Sequence, residues 1–356
     1  MPVPIARNAD TTRDELTKWL AQTLEAVDDV ELTRLDFGGA NGYSNETIIF
    51  DASWRAPSGA EQGEFVARVK PTGYSIFPDY DLLMQARVME ILSRRTDSPV
   101  PRVIGAADEA DSPLGQPFFV MERISGLIPA DHPPYPLKGW LHDATPAQQA
   151  QVFDGGLVAM ANLHALDWRG LGLGFLDRTE YGPAGIGQLI AMTGPLFDWV
   201  LDGRTMPLLD DAWAWLQANV PGDPRVVLNW GDSRLGNLMY RDFEPVAILD
   251  WEMVTVGPGD LELAWWLVFN HYYTYGRNLP DLPGFPSDDE AIARYEELRG
   301  EPVQHFDYYL KLQALRAVLP LLRLRDMMVE RGVLDAASDK APDLGGYVVL
   351  ERLMER

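Results

Sequence analysis

The sequence contains no cysteine. Disulfides, thiolate metal sites and thiol nucleophiles are thereby excluded, and the composition fits a cytoplasmic protein. Histidine is scarce too, with five in 356 residues, and no cluster of them has the spacing of a zinc site. Basic residues are outnumbered: 30 Lys and Arg face 53 Asp and Glu, for a net charge of −23. A field of that sign repels a phosphate backbone and an anionic bilayer, so neither nucleic acid nor membrane is an expected partner. Long apolar runs are missing as well; nothing approaches the ~20 residues that a membrane-crossing helix needs. The opening "MPVPIARNADTT" lacks the apolar core of a signal peptide. No fixed-period repeat or low-complexity tract interrupts the chain.

What is present reads as an ordinary globular protein, too long for one simple core. Thr12 and Glu15 in "TTRDELTKWLAQTLE" fit a capping box ahead of Leu16, Trp19, Leu20 and Leu24 at helical spacing. The period then changes. "VELTRLDFGG", "NETIIFDASW" and "GEFVARVKP" read as three strands joined by turns, followed by a helix over about Tyr80 to Arg95 and a further strand in "PFFVMERISG". After a Pro-rich stretch the pattern is mostly helical, beginning at Thr145, Pro146 and Gln148, a cap, a first-turn proline and a capping-box glutamine. The fold class is α+β. A strand-rich lobe over 1–122 precedes a helical lobe over 123–356, with a ligand cleft expected between them.

The segment "LNWGDSRLGNLMYRDFEPVAILDWE" carries the chemistry. Asp232 ends an apolar run at a Gly turn, Asn237 follows five residues later, and Asp250 ends the second run of a hairpin. Each residue alone is a common turn former. Together they offer a carboxylate that accepts a hydroxyl proton, a carbonyl oxygen for a hard cation and a second carboxylate for the same cation. That set suits phosphoryl transfer, where the protein positions the acceptor and Mg²⁺ neutralises the phosphates.

The run "NWGDSRLGNLMY…AILDWE…GPGDLELAW" resembles the aminoglycoside phosphotransferase and choline-kinase-like superfamily, with a likeness from about Phe37 to Trp266. The resemblance implies a protein-kinase-like two-lobed fold and an ATP- and Mg²⁺-dependent kinase, with GTP still open as donor. It implies Asp232 as base, Asn237 and Asp250 as Mg²⁺ ligands, and Glu262 as a structural support. Arg68 occupies the place of the strand lysine and Gln85 that of the helix glutamate, and the two are expected to pair. The resemblance also implies that "FGGANGYSNET" is the phosphate loop, with Ser44 a further donor, and that the backbone near Glu122 and Ile124 receives adenine. Arg234 is placed to reach the transferred phosphate, while an exposed loop arginine would look the same.

The chain departs from the family pattern at Trp230, where a histidine is usual before Gly-Asp, and at Trp251 and Glu252, which follow Asp250 in place of Phe-Gly. Glu252 either touches a second metal or caps a turn. His164 reads as a packed residue. The alternatives are a nucleotide-binding pseudokinase, which Trp230 and Gln85 motivate, a protein kinase, which the absence of an Ala-Pro-Glu segment disfavours, and an aminoglycoside kinase. The acceptor is expected to be a small hydroxyl compound. "AWWLVFNHYYTYGRN" brings Trp265, Trp266, Phe269, His271, Tyr272, Tyr273 and Tyr275 but no carboxylate for amines. A neutral, partly apolar acceptor is expected over an aminoglycoside, although a charge of −23 would attract a cation. The oligomeric state is not legible.

Overall fold

The computed structural model describes residues 7–24, 27–37, 46–72, 75–78, 80–222, 225–338, 341 and 343–356. The chain divides into two compact units, Met1–Ile124 and Ser125–Arg356.

The first unit begins with α1 (Ala9–Thr23). Its cap is Asn8, whose side chain accepts from the Thr11 amide. The capping box expected at Thr12 and Glu15 is therefore displaced by an earlier cap of equal chemistry. Strands β1 (Asp28–Phe37), β2 (Glu46–Ala56) and β3 (Gly59–Val69) follow, then α2 (Leu82–Arg95), β4 (Val103–Ala107) and β5 (Phe118–Glu122). The strands form one antiparallel sheet in the order β1-β2-β3-β5-β4. On β3 the period of two is explicit. Phe65, Ala67 and Val69 are buried, while Val66, Arg68 and Lys70 face the other way, half-buried. Leu16, Trp19 and Leu20 of α1 pack on the first set together with Phe50, Phe118 and Val120. The Trp19 and Phe118 rings meet edge-on at 4.9 Å. At ~1.5–3 kcal/mol for each large apolar side chain, this layer holds the helix to the sheet.

The second unit holds α3 (Pro146–His164), α4 (Ile186–Leu201), α5 (Pro207–Ala218), β6 (Val226–Asn229), β7 (Leu238–Arg241), β8 (Glu244–Ile248), β9 (Thr255–Pro258), α6 (Asp260–Tyr273), α7 (Asp288–Arg299), α8 (Phe306–Glu330) and α9 (Leu344–Met354). The cap read at Thr145 is present, with Gln148 completing the box. The strands make two small antiparallel pairs, β6 with β9 and β7 with β8. Helix α6 packs against α8 and is buried along nearly its whole length, which is why its sequence shows no polar face. Among the described residues no helix is long and apolar enough to cross a membrane.

Candidate active site

The turn between β7 and β8 explains how distant residues converge. Asp242 and Phe243 both have positive φ, 52° and 67°, as a two-residue turn that matches strand twist requires. Arg241 pairs with Glu244 and Leu238 with Ile248. Asn237, just before β7, and Asp250, just after β8, thus lie at the same end of the hairpin. The Leu249 amide donates to the Asn237 carbonyl at 2.9 Å, which ties the two ends together.

Asp232 is 9% exposed and held from three sides. The Trp265 indole N–H donates to Oδ1 at 2.9 Å, the Asn237 amide to Oδ2 at 2.5 Å, and Arg234 Nε to Oδ2 at 3.2 Å. A carboxylate offers about four acceptor positions, so one remains for a hydroxyl. Asn237 Nδ2 also donates to the Asp232 carbonyl at 3.0 Å. With its nitrogen committed twice to Asp232, the asparagine has its carbonyl oxygen left for a cation. Asp250 sits in the left-handed region, φ 60°, a conformation that aspartate tolerates better than most residues.

A second set of bonds fixes the loop from behind. Gly231 has φ +100°, and a Cβ there would overlap the Met253 carbonyl. Its amide donates to Glu262 Oε1 at 2.6 Å. Glu262 Oε2 meets His164 Nε2 at 2.7 Å, and the Tyr295 hydroxyl meets His164 Nδ1 at 2.6 Å and donates to the Gly259 carbonyl at 3.1 Å. Glu262 is thus a support for the Gly231–Asp232 turn, and His164 is buried behind it. Trp230 is fully buried, and its indole donates to the Leu249 carbonyl at 2.7 Å and the Asp250 carbonyl at 3.2 Å. The tryptophan therefore clamps the backbone that carries Asp250.

Arg234 is drawn between two carboxylates. Besides Asp232 it reaches both oxygens of Asp131, at 3.1 and 3.0 Å, and the Tyr273 hydroxyl donates to Asp131 at 2.6 Å. Burial pushes the Asp131 carboxyl up, but the charge of Arg234 and the Tyr273 bond outweigh it and hold it below the usual range. Beside this pair lies a small indentation, with room for about one water, lined by Tyr135, Arg234, Trp266, Phe269, Asn270 and Tyr273. Three of the aromatics singled out in α6, Trp266, Phe269 and Tyr273, border it.

The remaining sequence candidates lie in the first unit. Arg68 stands opposite Thr47 and Phe119 in the sheet. Gln85 is 2% exposed, and its Nε2 donates to the Tyr80 hydroxyl at 2.9 Å; a guanidinium only donates, so the Arg68 expected beside it would meet the amide oxygen. Glu122 bonds Arg102 through its side chain at 2.6 Å, while its amide donates to the Arg102 carbonyl. Ile124 ends the unit. Ser44 lies outside the described residues. Glu252 stands half-buried in the turn after Asp250. Sequence reasoning missed the parts of Trp265 and Asp131. An indole in an aromatic helix and a carboxylate about a hundred residues before Arg234 carry no local signal of their partners.

Comparison with known proteins agrees with the fold. The model of the phosphotransferase enzyme family matches residues 39–303. A putative aminoglycoside phosphotransferase from Ralstonia eutropha JMP134 superposes with a TM-score of 0.69 at 22% identity, covering 96% of this chain and 98% of that one. The macrolide 2′-phosphotransferase MphH from Brachybacterium faecium gives 0.52 at 18% identity, covering 93% and 97%. These likenesses show a protein-kinase-like fold. Among curated relatives, acyl-CoA dehydrogenase family member 10 of Mus musculus is 25% identical over 88% of this chain and 28% of its own length. Family member 11 of Homo sapiens is 26% identical over 78% and 32%. The chain thus spans about a third of the curated relatives it matches. With the family model covering most of its length, the chain belongs to the phosphotransferase enzyme family.

Proposed function

We propose that the protein transfers the γ-phosphoryl group of ATP to the hydroxyl of a small molecule, with Asp232 as the base. The observation that carries this reading is the Asp232 carboxylate, nearly buried, held by Trp265, Asn237 and Arg234, and keeping one acceptor position. A hydroxyl bonded there has its proton taken as its oxygen forms the new bond to phosphorus, while the bond from the γ-phosphorus to its bridging oxygen breaks and ADP leaves.

Asn237 and Asp250 would hold Mg²⁺. Their donor set fits: two hard oxygens at one end of a hairpin, the asparagine nitrogen being already engaged. Among the described residues no cluster of three or more His, Cys, Asp or Glu forms a metal cage. Mg²⁺ rarely uses such cages, since it keeps waters and phosphate oxygens as ligands. When bound, the ion would neutralise charge on the phosphates. In the first unit Arg68 is proposed to take the phosphates, with Gln85 set in α2 behind it. Ser44 is proposed as a phosphate-loop donor, and the backbone at Glu122 and Ile124 as the adenine contact.

The acceptor is proposed to be non-cationic. The carboxylate beside the aromatic concavity, Asp131, is already neutralised by Arg234 and bonded by Tyr273, so it is a poor partner for an ammonium group. Aromatic walls favour an apolar body. A coupled ADP-release assay with and without Mg²⁺, over apolar alcohols, hydroxy acids, amino alcohols and aminoglycosides, tests the proposal. Mg²⁺-dependent release driven by a non-cationic alcohol is expected. Release driven only by aminoglycosides would refute the acceptor class, and no acceptor-dependent release would refute the activity.

A further inference from the structure

Asp131 lies 103 residues before Arg234, yet the second unit fixes it beside that arginine. Leu127 bridges to Tyr240 of β7, each amide donating to the other's carbonyl at 2.8 Å. Strand β7 directly follows Asn237, so the segment that leads to Asp131 is laced to the hairpin of the proposed site. A second bridge joins Asp131 to Pro134. Tyr273, buried in α6, donates its hydroxyl to Asp131 Oδ1 at 2.6 Å. The chain also keeps space for the ion pair. A Cβ at Gly236 would overlap Arg234 Nη1 and crowd Asp131 Oδ1 at 2.9 Å. Gly236 has no positive φ, so the backbone does not demand a glycine there; the Asp131–Arg234 pair does.

Arg234 is divided unevenly between its two carboxylates. Its Nη1 meets both oxygens of Asp131, at 3.1 and 3.0 Å, while its Nε meets one oxygen of Asp232 at 3.2 Å. Nη2 is in none of these bonds. A guanidinium beside a single carboxylate favours a fork of two parallel N–H bonds, and Asp232 is close enough to receive one. Such a fork would add a bond to Asp232 Oδ1, which already accepts from Trp265. It would thereby take the acceptor position that a substrate hydroxyl needs. The pull of Asp131 on Nη1 opposes that turn.

We infer that Asp131, braced by Tyr273, is a positioning residue for the transfer: it draws Arg234 back so that only Nε touches Asp232 and the base keeps its place for the acceptor hydroxyl. The inference rests on the phosphotransferase reading. Asp131 acts through Arg234 and not on the nucleotide, so its loss should slow turnover, spare Mg²⁺–ATP affinity and have no effect once Arg234 is gone. A merely structural role would not produce that last dependence.

The test is a double-mutant cycle. ADP release is measured with whichever compound of the acceptor panel above has the highest kcat/KM, and Mg²⁺–ATP affinity by calorimetry. The variants are Asp131→Asn, Tyr273→Phe, Arg234→Gln, each of the first two combined with Arg234→Gln, and Asp232→Asn. Asp131→Asn should lower kcat about 10- to 100-fold, the range for charge-assisted hydrogen bonds, with Mg²⁺–ATP affinity close to the parent's. In the Arg234→Gln background the same substitution should change kcat by less than about twofold. Tyr273→Phe keeps both charges and the ring and should give a smaller fall with the same dependence on Arg234; it carries the test if Asp131→Asn does not fold. An unchanged kcat in Asp131→Asn and Tyr273→Phe, a fall as large in the Arg234→Gln background, or a matching loss of Mg²⁺–ATP affinity would overturn the inference and leave the phosphotransferase reading standing. No Asp232-dependent release with any acceptor would remove that reading and the inference with it.

Discussion

Replacing Glu262 tests whether the Gly231–Asp232 turn is held from behind. The Glu262 side chain is fully buried. It accepts the Gly231 amide at 2.6 Å and meets His164 at 2.7 Å. Glu262→Ala removes both contacts, leaves a buried His164 and the Gly231 N–H without that acceptor, and opens a cavity. Removing the partner of a buried polar group costs about 1–3 kcal/mol, and two groups lose their partner here. Glu262→Gln keeps the volume and an oxygen for Gly231 but gives up the charge. Hydrogen bonds to charged groups are worth about 1.5–3 kcal/mol against 0.5–1.5 for neutral ones, so the two contacts together lose about 2–3 kcal/mol. Activity should fall further than stability suggests. Gly231 precedes the proposed base, and a displacement near 1 Å at a reacting group costs about 100-fold. Urea unfolding gives the stability and ADP release the turnover, both at a temperature where the variants remain folded. Glu262→Ala within about 1 kcal/mol of the parent, or with unchanged kcat, would refute the support role.

Other outcomes follow from the same geometry. Asn237→Ala and Asp250→Ala should each weaken Mg²⁺-dependent ATP binding in calorimetry, Asp250→Ala more because it removes a charge; unchanged metal dependence in both would place the metal elsewhere. Trp265→Phe keeps the ring but removes the donor to Asp232 Oδ1, and kcat should fall about tenfold, the lower end for a bond to a charged group. Gly231→Ala, forced to φ +100° against the Met253 carbonyl, should lose at least about 1–3 kcal/mol, read by thermal unfolding. Asp131 has a depressed folded pKa, so its contribution to stability is present above the ordinary aspartate value of about 3.9 and is lost as pH falls below it. Asp131→Asn should remove that acid-side loss from the stability–pH curve, and an identical curve would contradict the pairing.

Much of this arrangement is legible from local pattern, because local pattern determines it. The alternation on β3 separates Phe65, Ala67 and Val69 from Val66 and Arg68, as the sheet does, and the turn residues around β7 and β8 predict the hairpin that gathers Asn237 and Asp250. The cap at Thr145 is visible for the same reason, since its partner Gln148 lies three residues away. Long-range partners are not legible. Gln85 on the apolar stripe of α2 calls for a hydrogen bond, but nothing in the sequence points to the Tyr80 hydroxyl as the acceptor for its amide. The Asp131–Arg234 pair spans about a hundred residues, and Trp265 is one aromatic among many in α6. Trp230 reads as a departure from the family pattern. Only the fold shows its indole bonded to the carbonyls that lead to Asp250.

The most direct test of the central claim is Asp232→Asn, assayed for turnover with the best acceptor and, separately, for Mg²⁺–ATP affinity. General base catalysis contributes about 10²–10⁴-fold, so kcat should fall by that much while the nucleotide dissociation constant stays close to the parent's. Near-normal turnover in Asp232→Asn, with nucleotide affinity intact, would contradict the assignment of Asp232 as the base.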